Sequence, residues 1–233
     1  MQKKIIGILG GMGPEATIDL FQKIVKSTPA KEDQEHLRII IDNNPNIPDR
    51  SKAILDSGEN PLPELIRTAR NLEKAGADFI IMPCNTAHYY YSDIQKAIKI
   101  PLIHMIQETA NSIHDKFSSI YAVSLLATKG TYQTKLYQNF LEKMNIETII
   151  PDPAHQTKIM EIIYGIKASQ SLADLKKQII EIAQDQIILG AQGIIAGCTE
   201  IPLVLKNGYV SIPVIDPTLV LAQKAVEAAL KKP

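Results

Sequence analysis

The sequence predicts an α/β protein of two similar lobes, each a parallel sheet flanked by helices, the two related by pseudo-twofold symmetry. Three observations predict it. Short apolar runs alternate with helical spacing along the whole chain. Two of those runs end alike, at Ile80-Ile81-Met82-Pro83-Cys84-Asn85-Thr86 and at Ile194-Ile195-Ala196-Gly197-Cys198-Thr199-Glu200. The two cysteines are the only ones in the protein; each follows a Gly-Ala pair by eight positions (Gly76-Ala77, Gly190-Ala191) and precedes an Ile-Pro pair (Ile100-Pro101, Ile212-Pro213). An internal duplication that delivers one thiol to the carboxyl end of a strand in each half accounts for all three.

In chain order, residues 3–9 read as a strand that runs into Gly10-Gly11-Met12-Gly13, and Pro14-Glu15-Ala16-Thr17 opens a helix. Proline suits a first helical turn, where its missing N–H would be unpaired anyway. A second strand covers 37–41 and ends in Asp42. Residues 43–51, Asn43 to Ser51, hold two prolines and a cluster of asparagines and read as a loop. Such a loop lies at the strand end where α/β ligand sites form. Residues 61–75 place Leu62, Leu65, Ile66, Ala69 and Leu72 at helical spacing, with Gly76 as the stop. Strand 78–82 delivers Cys84, Tyr89-Tyr90-Tyr91 opens a helix as packing or surface aromatics, 100–103 is a strand, and 105–117 a helix. The second half repeats the alternation: strand 119–125, the Ala127-Thr128-Lys129-Gly130-Thr131 stretch, a helix to Met144, strand 146–150 and a turn at Pro151-Asp152-Pro153. Helices at 155–164 and 172–189, a strand ending at Ala196, a short helix after Pro202, strand Val214-Ile215 and a helix at 218–230 complete the chain.

Composition narrows the class. A chain of 233 residues buries a real core as one domain or two. Lys+Arg and Asp+Glu balance at 25 each, so no basic footprint for nucleic acid is present, and the absence of tryptophan weakens a stacking platform for single strands. No apolar run approaches the roughly 20 residues of a membrane span, and the first residues lack a signal-peptide h-region. Two cysteines 114 positions apart form no disulfide framework. The expectation is a soluble, cytoplasmic protein of a reducing compartment, with a small-molecule substrate and no nucleic-acid or membrane partner.

Two thiols at two equivalent strand ends suggest a specific chemistry. If the lobes face one another, a substrate in the cleft between them loses a proton to one sulfur and gains one from the other, which inverts a carbon centre. One cysteine must then be thiolate and the other thiol; a free thiol titrates near ~8.5, close enough to neutral for either role. Asn85, Thr86 and Thr199 stand where short polar side chains would hold a carboxylate and stabilise a developing enolate. Arg50 offers a planar clamp for a carboxylate; alternatively it is a solvated loop charge or pairs with Asp49.

Other readings fit parts of the chain. Gly11-Met12-Gly13-Pro14-Glu15-Ala16 matches the loose dinucleotide pattern and Asp42 ends the second strand, as in an NAD(P)-linked oxidoreductase. Cys84, with His88 four residues on, would suit acyl transfer, and Cys84, His88 and Cys198 a metal, although no C-x-x-C or close histidine pair is present. A non-catalytic two-lobed protein that binds small acids needs neither thiol. A lone cysteine is most often a small buried hydrophobe. His36, His104, His114 and His155 read as packing or solvent-facing.

Gly10-Gly11-Met12-Gly13-Pro14-Glu15-Ala16-Thr17, the Asn44…Ile47-Pro48-Asp49-Arg50 loop, Pro83-Cys84-Asn85-Thr86-Ala87-His88 and Gly197-Cys198-Thr199-Glu200-Ile201-Pro202 together resemble the aspartate/glutamate racemase superfamily, within it most closely the aspartate racemases. The motifs stand in the family's order and span essentially the whole chain. The resemblance implies racemisation without a cofactor, neither pyridoxal phosphate nor metal, in a homodimer whose site lies between the lobes. It implies a discontinuous first lobe, residues 1–115 with 208–233, and a second at 116–207. It implies that Cys84 and Cys198 are the acid/base thiols. Arg50, and Lys167 in Tyr164-Gly165-Ile166-Lys167, match the holders of the substrate side-chain carboxylate. Asn85, Thr86 and Thr199 match the residues that grip the amino acid, and Met12 a glycine-loop contact. Ser51 departs from the threonine expected after Pro-Asp-Arg. Glutamate racemases usually open this loop with Asp-Ser-Gly, which Gly10-Gly11-Met12 replaces here. Aspartate is therefore the expected substrate, with a broad-specificity or glutamate racemase as the alternatives.

Overall fold

A computed structural model gives the fold and describes residues 3–231. Met1, Gln2, Lys232 and Pro233, the outermost residues of the expected first lobe, lie outside the described residues. The chain divides into two compact units, Met1–Glu108 with Thr218–Pro233, and Thr109–Pro217.

The first unit begins with β1 (Ile6–Gly10), α1 (Pro14–Ser27), β2 (Ile39–Asn43), the short α2 (Arg50–Ile54) and α3 (Leu62–Lys74). There follow β3 (Phe79–Ile81), α4 (Tyr91–Ala97) and α5 (Met105–Lys116), within which the division falls. The sheet order is β2-β1-β3, all parallel, with Ile8 opposite Ile41 on one side and Ile81 on the other. The run at 100–103 is not a strand. It contributes one parallel bridge, Ile80 to Leu102, framed by bonds from the Ile80 N–H to the Pro101 carbonyl and from the Ile103 N–H to the Ile80 carbonyl. Pro101 has no N–H with which to extend that ladder. The loop after β2 is also shorter than expected. The Asp49 side chain accepts from the Lys52 N–H and caps α2, so Arg50 and Ser51 are helical.

The second unit holds β4 (Ala122–Ala127), α6 (Lys129–Gln133), α7 (Gln138–Leu141), β5 (Glu147–Ile149), α8 (Pro153–Lys167), α9 (Leu172–Ile188), β6 (Gly193–Gly197), α10 (Ile201–Val204) and β7 (Val214–Ile215). The single helix expected to reach Met144 is broken, because Lys135 takes φ +51° between α6 and α7. The sheet order is β5-β4-β6-β7, again all parallel. With Leu102 as a fourth position beside β3, both sheets follow one order: second, first, third, fourth. The duplication read from the two cysteine stretches is thus a repeated topology.

Helix α11 (Pro217–Leu230) returns the chain to the first unit. There Leu221, Ala222 and Ala225 join Leu20 and Ile24 of α1 over Ile6, Ile8, Phe79 and Ile81. The opposite face, Leu9, Ile80 and Met82, is covered by Leu65 and Leu72 of α3 and Ile94 of α4. The period-two alternation of the strands thus feeds two helical layers. In the second unit, Leu126, Ile194 and Ala196 pack under Ile159, Ile162 and Ile166 of α8 and Ile179 and Ile182 of α9. Each fully buried aliphatic side chain of this kind contributes about 1.5–3 kcal/mol. Among the described residues, no helix is long and apolar enough to cross a membrane.

Candidate active site

In open parallel sheets, ligands bind beyond the carboxyl ends of the strands where the order reverses. In both units that point lies between the first and third strands. In the first unit those ends carry Gly11-Met12 after β1 and Cys84 after β3; in the second, Thr128 after β4 and Cys198 after β6.

The glycines after β1 answer local packing. Gly11 has φ +94°, and a Cβ there would come 2.3 Å from the Asn44 backbone. The Gly11 N–H donates to Thr17 Oγ1 at 2.9 Å, and that hydroxyl donates to the Gly13 carbonyl. This N–H is therefore committed to the protein rather than aimed at a phosphate, and Asp42 accepts from Asn71 Nδ2. The dinucleotide reading loses its structural basis. Met12 is buried in one apolar cluster with Ile47 and Cys84. Arg50, also buried, donates through Nη1 to the Ile47 and Pro48 carbonyls and through Nη2 to the Met12 carbonyl at 3.5 Å. It fastens the 44–49 loop to the glycine loop.

Cys84 leaves β3 in a tight turn, its N–H donating to the Met82 carbonyl at 2.9 Å. Asn85 and Thr86 are buried beside it and open a 3-10 turn over Thr86–Tyr90. His88 lies 2.8 Å from the Cys84 carbonyl through Nδ1 and accepts the Met105 N–H at Nε2, 3.1 Å. A backbone N–H must donate, so Nε2 is the acceptor and Nδ1 carries the proton. Burial, helped by neighbouring His104, pulls its pKa down to about 3, so the ring is neutral. Both nitrogens serve backbone groups, which leaves His88 neither to deprotonate a thiol nor to ligate a metal. Tyr90, half-buried, feels the charge of Arg50. Met12, Arg50, Cys84, Asn85 and Thr86 therefore stand together at one sheet end.

In the second unit, Gly197 ends β6 where a Cβ would meet Leu125 and Ala127 at 2.5 and 3.0 Å. Cys198 follows, buried, and its Sγ donates to Glu200 Oε2 at 2.9 Å. Thr199 Oγ1 donates to the same oxygen at 3.3 Å. Lys167, the last residue of α8, brings Nζ to 3.8 Å from Glu200 Oε1 and lies over the Tyr164 ring. Burial first, and the Glu200 carboxylate second, push the Cys198 thiol well above its usual range, against the pull of Lys167. Lys167, Cys198 and Thr199 thus meet through Glu200, a residue quoted in the motif but not singled out for a role. The one available signal was a carboxylate two positions after a cysteine. Among the described residues, no group of three or more His, Cys, Asp or Glu is arranged to hold a metal ion.

The model of the Asp/Glu/hydantoin racemase family matches residues 9–225. The chain is 32% identical to the broad-specificity amino-acid racemase of Bacillus subtilis (strain 168), over 97% of this chain and 98% of that one. The Picrophilus torridus aspartate racemase structure superposes with a TM-score of 0.89 at 33% identity, over 98% of this chain and 95% of that one. Glutamate racemase of Francisella tularensis, solved with D-glutamate, reaches 0.64 at 19% identity, covering 97% of this chain and 81% of that one, a likeness of fold alone.

Proposed function

Because the chain belongs to the Asp/Glu/hydantoin racemase family, we propose that it interconverts L- and D-aspartate without a cofactor, using Cys84 and Cys198 as its two acid/base groups. The observation that carries the reading is the position of the thiols: each follows the third strand of a sheet, and the two sheets share one strand order. One thiolate takes the α-proton; the C–H bond breaks, an S–H bond forms and the electron pair remains on carbon as an enolate-like carbanion. Asn85, Thr86 and Thr199 hydrogen-bond the α-carboxylate as charge develops on it. The other thiol then gives its proton to the opposite face, and the roles exchange for the other enantiomer. Arg50 and Lys167 supply positive charge for the side-chain carboxylate. The same reading takes the enzyme to be a cytoplasmic homodimer.

A broader substrate range is the second reading, and one observation favours it. Lys167 already faces Glu200 and Arg50 already bonds three backbone carbonyls, so neither cation is devoted to a ligand. The relative from Bacillus subtilis is itself named a broad-specificity racemase. Glutamate remains a further alternative.

The test is incubation with L-aspartate in D2O without added cofactor, followed by chiral chromatography and proton NMR. D-Aspartate carrying deuterium at the α-carbon supports the proposal. Turnover of glutamate or neutral amino acids at equal rates moves the assignment to broad specificity. Silence across such a panel removes it.

A further inference from the structure

The two cysteines occupy equivalent strand ends, yet their surroundings differ. Cys84 sits in an apolar cluster with Met12 and Ile47, and His88, four residues on, is turned to the backbone. At Cys198, two donors converge on one oxygen of a buried carboxylate, the thiol and the Thr199 hydroxyl on Glu200 Oε2, while the Lys167 ammonium lies 3.8 Å from Oε1. Glu200 Oε2 accepts from both the thiol and the hydroxyl, so the shared proton belongs to sulfur. Loss of that proton would place a thiolate 2.9 Å from a carboxylate oxygen, with a single lysine 3.8 Å from the other oxygen. Two like charges at contact disfavour each other.

We propose that Glu200 is the positioning residue of the second thiol: it keeps the proton on Cys198 in the ligand-free enzyme, so that Cys198 enters the first turnover as the acid and Cys84 as the base. The resting enzyme is then set for the enantiomer whose α-hydrogen faces Cys84. The Cys198 S–H bond breaks as the new C–H bond forms, and Lys167 offsets one of the two negative charges then held by Cys198 and Glu200. The assignment deepens the racemase reading and rests on it only for the direction of proton flow. Besides Glu200 and Lys167, the titratable groups that sense the Cys198 charge are Tyr132 and Tyr137, both raised by burial. The Tyr132 hydroxyl is occupied by the Ala127 N–H and the Leu125 carbonyl.

The test is residue-resolved alkylation of the ligand-free protein with iodoacetamide, from about pH 6 to about pH 10, read for each cysteine by peptide mass spectrometry. Glu200→Gln removes the charge and keeps the shape. It is expected to move the Cys198 profile down by about one pH unit, roughly tenfold faster modification near neutral pH. The Cys84 profile is expected to stay where it is. Lys167→Met, at a partly exposed helix end, is expected to move the Cys198 profile up, and it tests the same arrangement should Glu200→Gln not fold. An unmoved or raised Cys198 profile in Glu200→Gln, or an unmoved or lowered one in Lys167→Met, overturns the assignment. Alkylation needs no turnover, so a chiral assay on the same samples separates failure of this role from failure of the racemase reading.

Discussion

His88 Nδ1 stands 2.8 Å from the carbonyl oxygen of Cys84, while Nε2 receives the N–H of Met105. One neutral imidazole therefore ties the chain leaving β3 to the first residue of α5. An unfolded histidine takes up a proton near pH ~6.5, whereas folded His88 does so only at about 3. Between those values the unfolded chain binds more protons, so stability falls as pH drops through this window and levels off below it. His104, held at about 4 by burial, adds to the trend. The melting temperature is expected to fall steadily from pH 6.5 toward pH 4, and more gently in His88→Gln. A flat wild-type profile across that window would contradict the buried neutral ring.

Cys84→Ala and Cys198→Ala are each expected to abolish racemisation, with a loss of at least about 10²-fold, the lower end for removal of a general acid or base. Each variant is expected to retain solvent exchange at the α-carbon of one enantiomer at most. The measurement is deuterium uptake from D2O for L- and D-aspartate separately. Racemisation near the wild-type rate in either variant would rule out two bases.

Lys167→Ala and Arg50→Ala are expected to weaken acidic substrates far more than neutral ones. A charged hydrogen bond contributes about 1.5–3 kcal/mol, roughly a 10- to 150-fold rise in KM for aspartate. The Arg50 variant carries an additional loss of stability, because its guanidinium holds Ile47, Pro48 and Met12 by their carbonyls. Steady-state kinetics on aspartate and alanine, beside thermal melting, separates the two effects. An unchanged ratio of the two substrates in both variants would show that neither side chain sets specificity.

Gly11→Ala is expected to cost several kcal/mol. The backbone there holds φ +94°, and the new methyl would lie 2.3 Å from the Asn44 carbonyl. A strained residue alone costs about 1–3 kcal/mol, a fall of at least ~2–4 °C in melting temperature for a chain of this size. Gly76→Ala, with φ +92° but open space around it, is expected to cost less. Equal melting points for the two variants would show that the close approach to Asn44 carries no penalty.

Elements with a strong period were legible in the chain. The apolar spacing of α3 and α9, and the two apolar runs ending in cysteine, identify helices, strands and thiols alike. Strand limits were less so, because partners decide them. Residues 119–125 read as a strand, yet the ladder from Val123–Gly193 to Ala127–Gly197 moves β4 toward its carboxyl end. Ile100 and Ile103 look strand-like until Pro101 withholds its N–H from the sheet. Glu200 was visible as a letter and invisible as a role. Its function depends on a thiol, a hydroxyl and a lysine from another helix meeting at one carboxylate, which spacing along the chain does not encode.

Helix α11 covers Ile6, Ile8 and Phe79, residues that precede it by most of the chain. During synthesis the strands β1 to β3 emerge before the 109–217 unit, but the helix that completes the cover of one of their faces follows that unit. The 109–217 unit, contiguous in sequence, is free to fold meanwhile, since domains generally fold as units as they are made. The first unit must wait with an apolar face open to chaperones. Released chains that end at Pro217 should therefore protect the later segment from protease and leave the earlier one exposed.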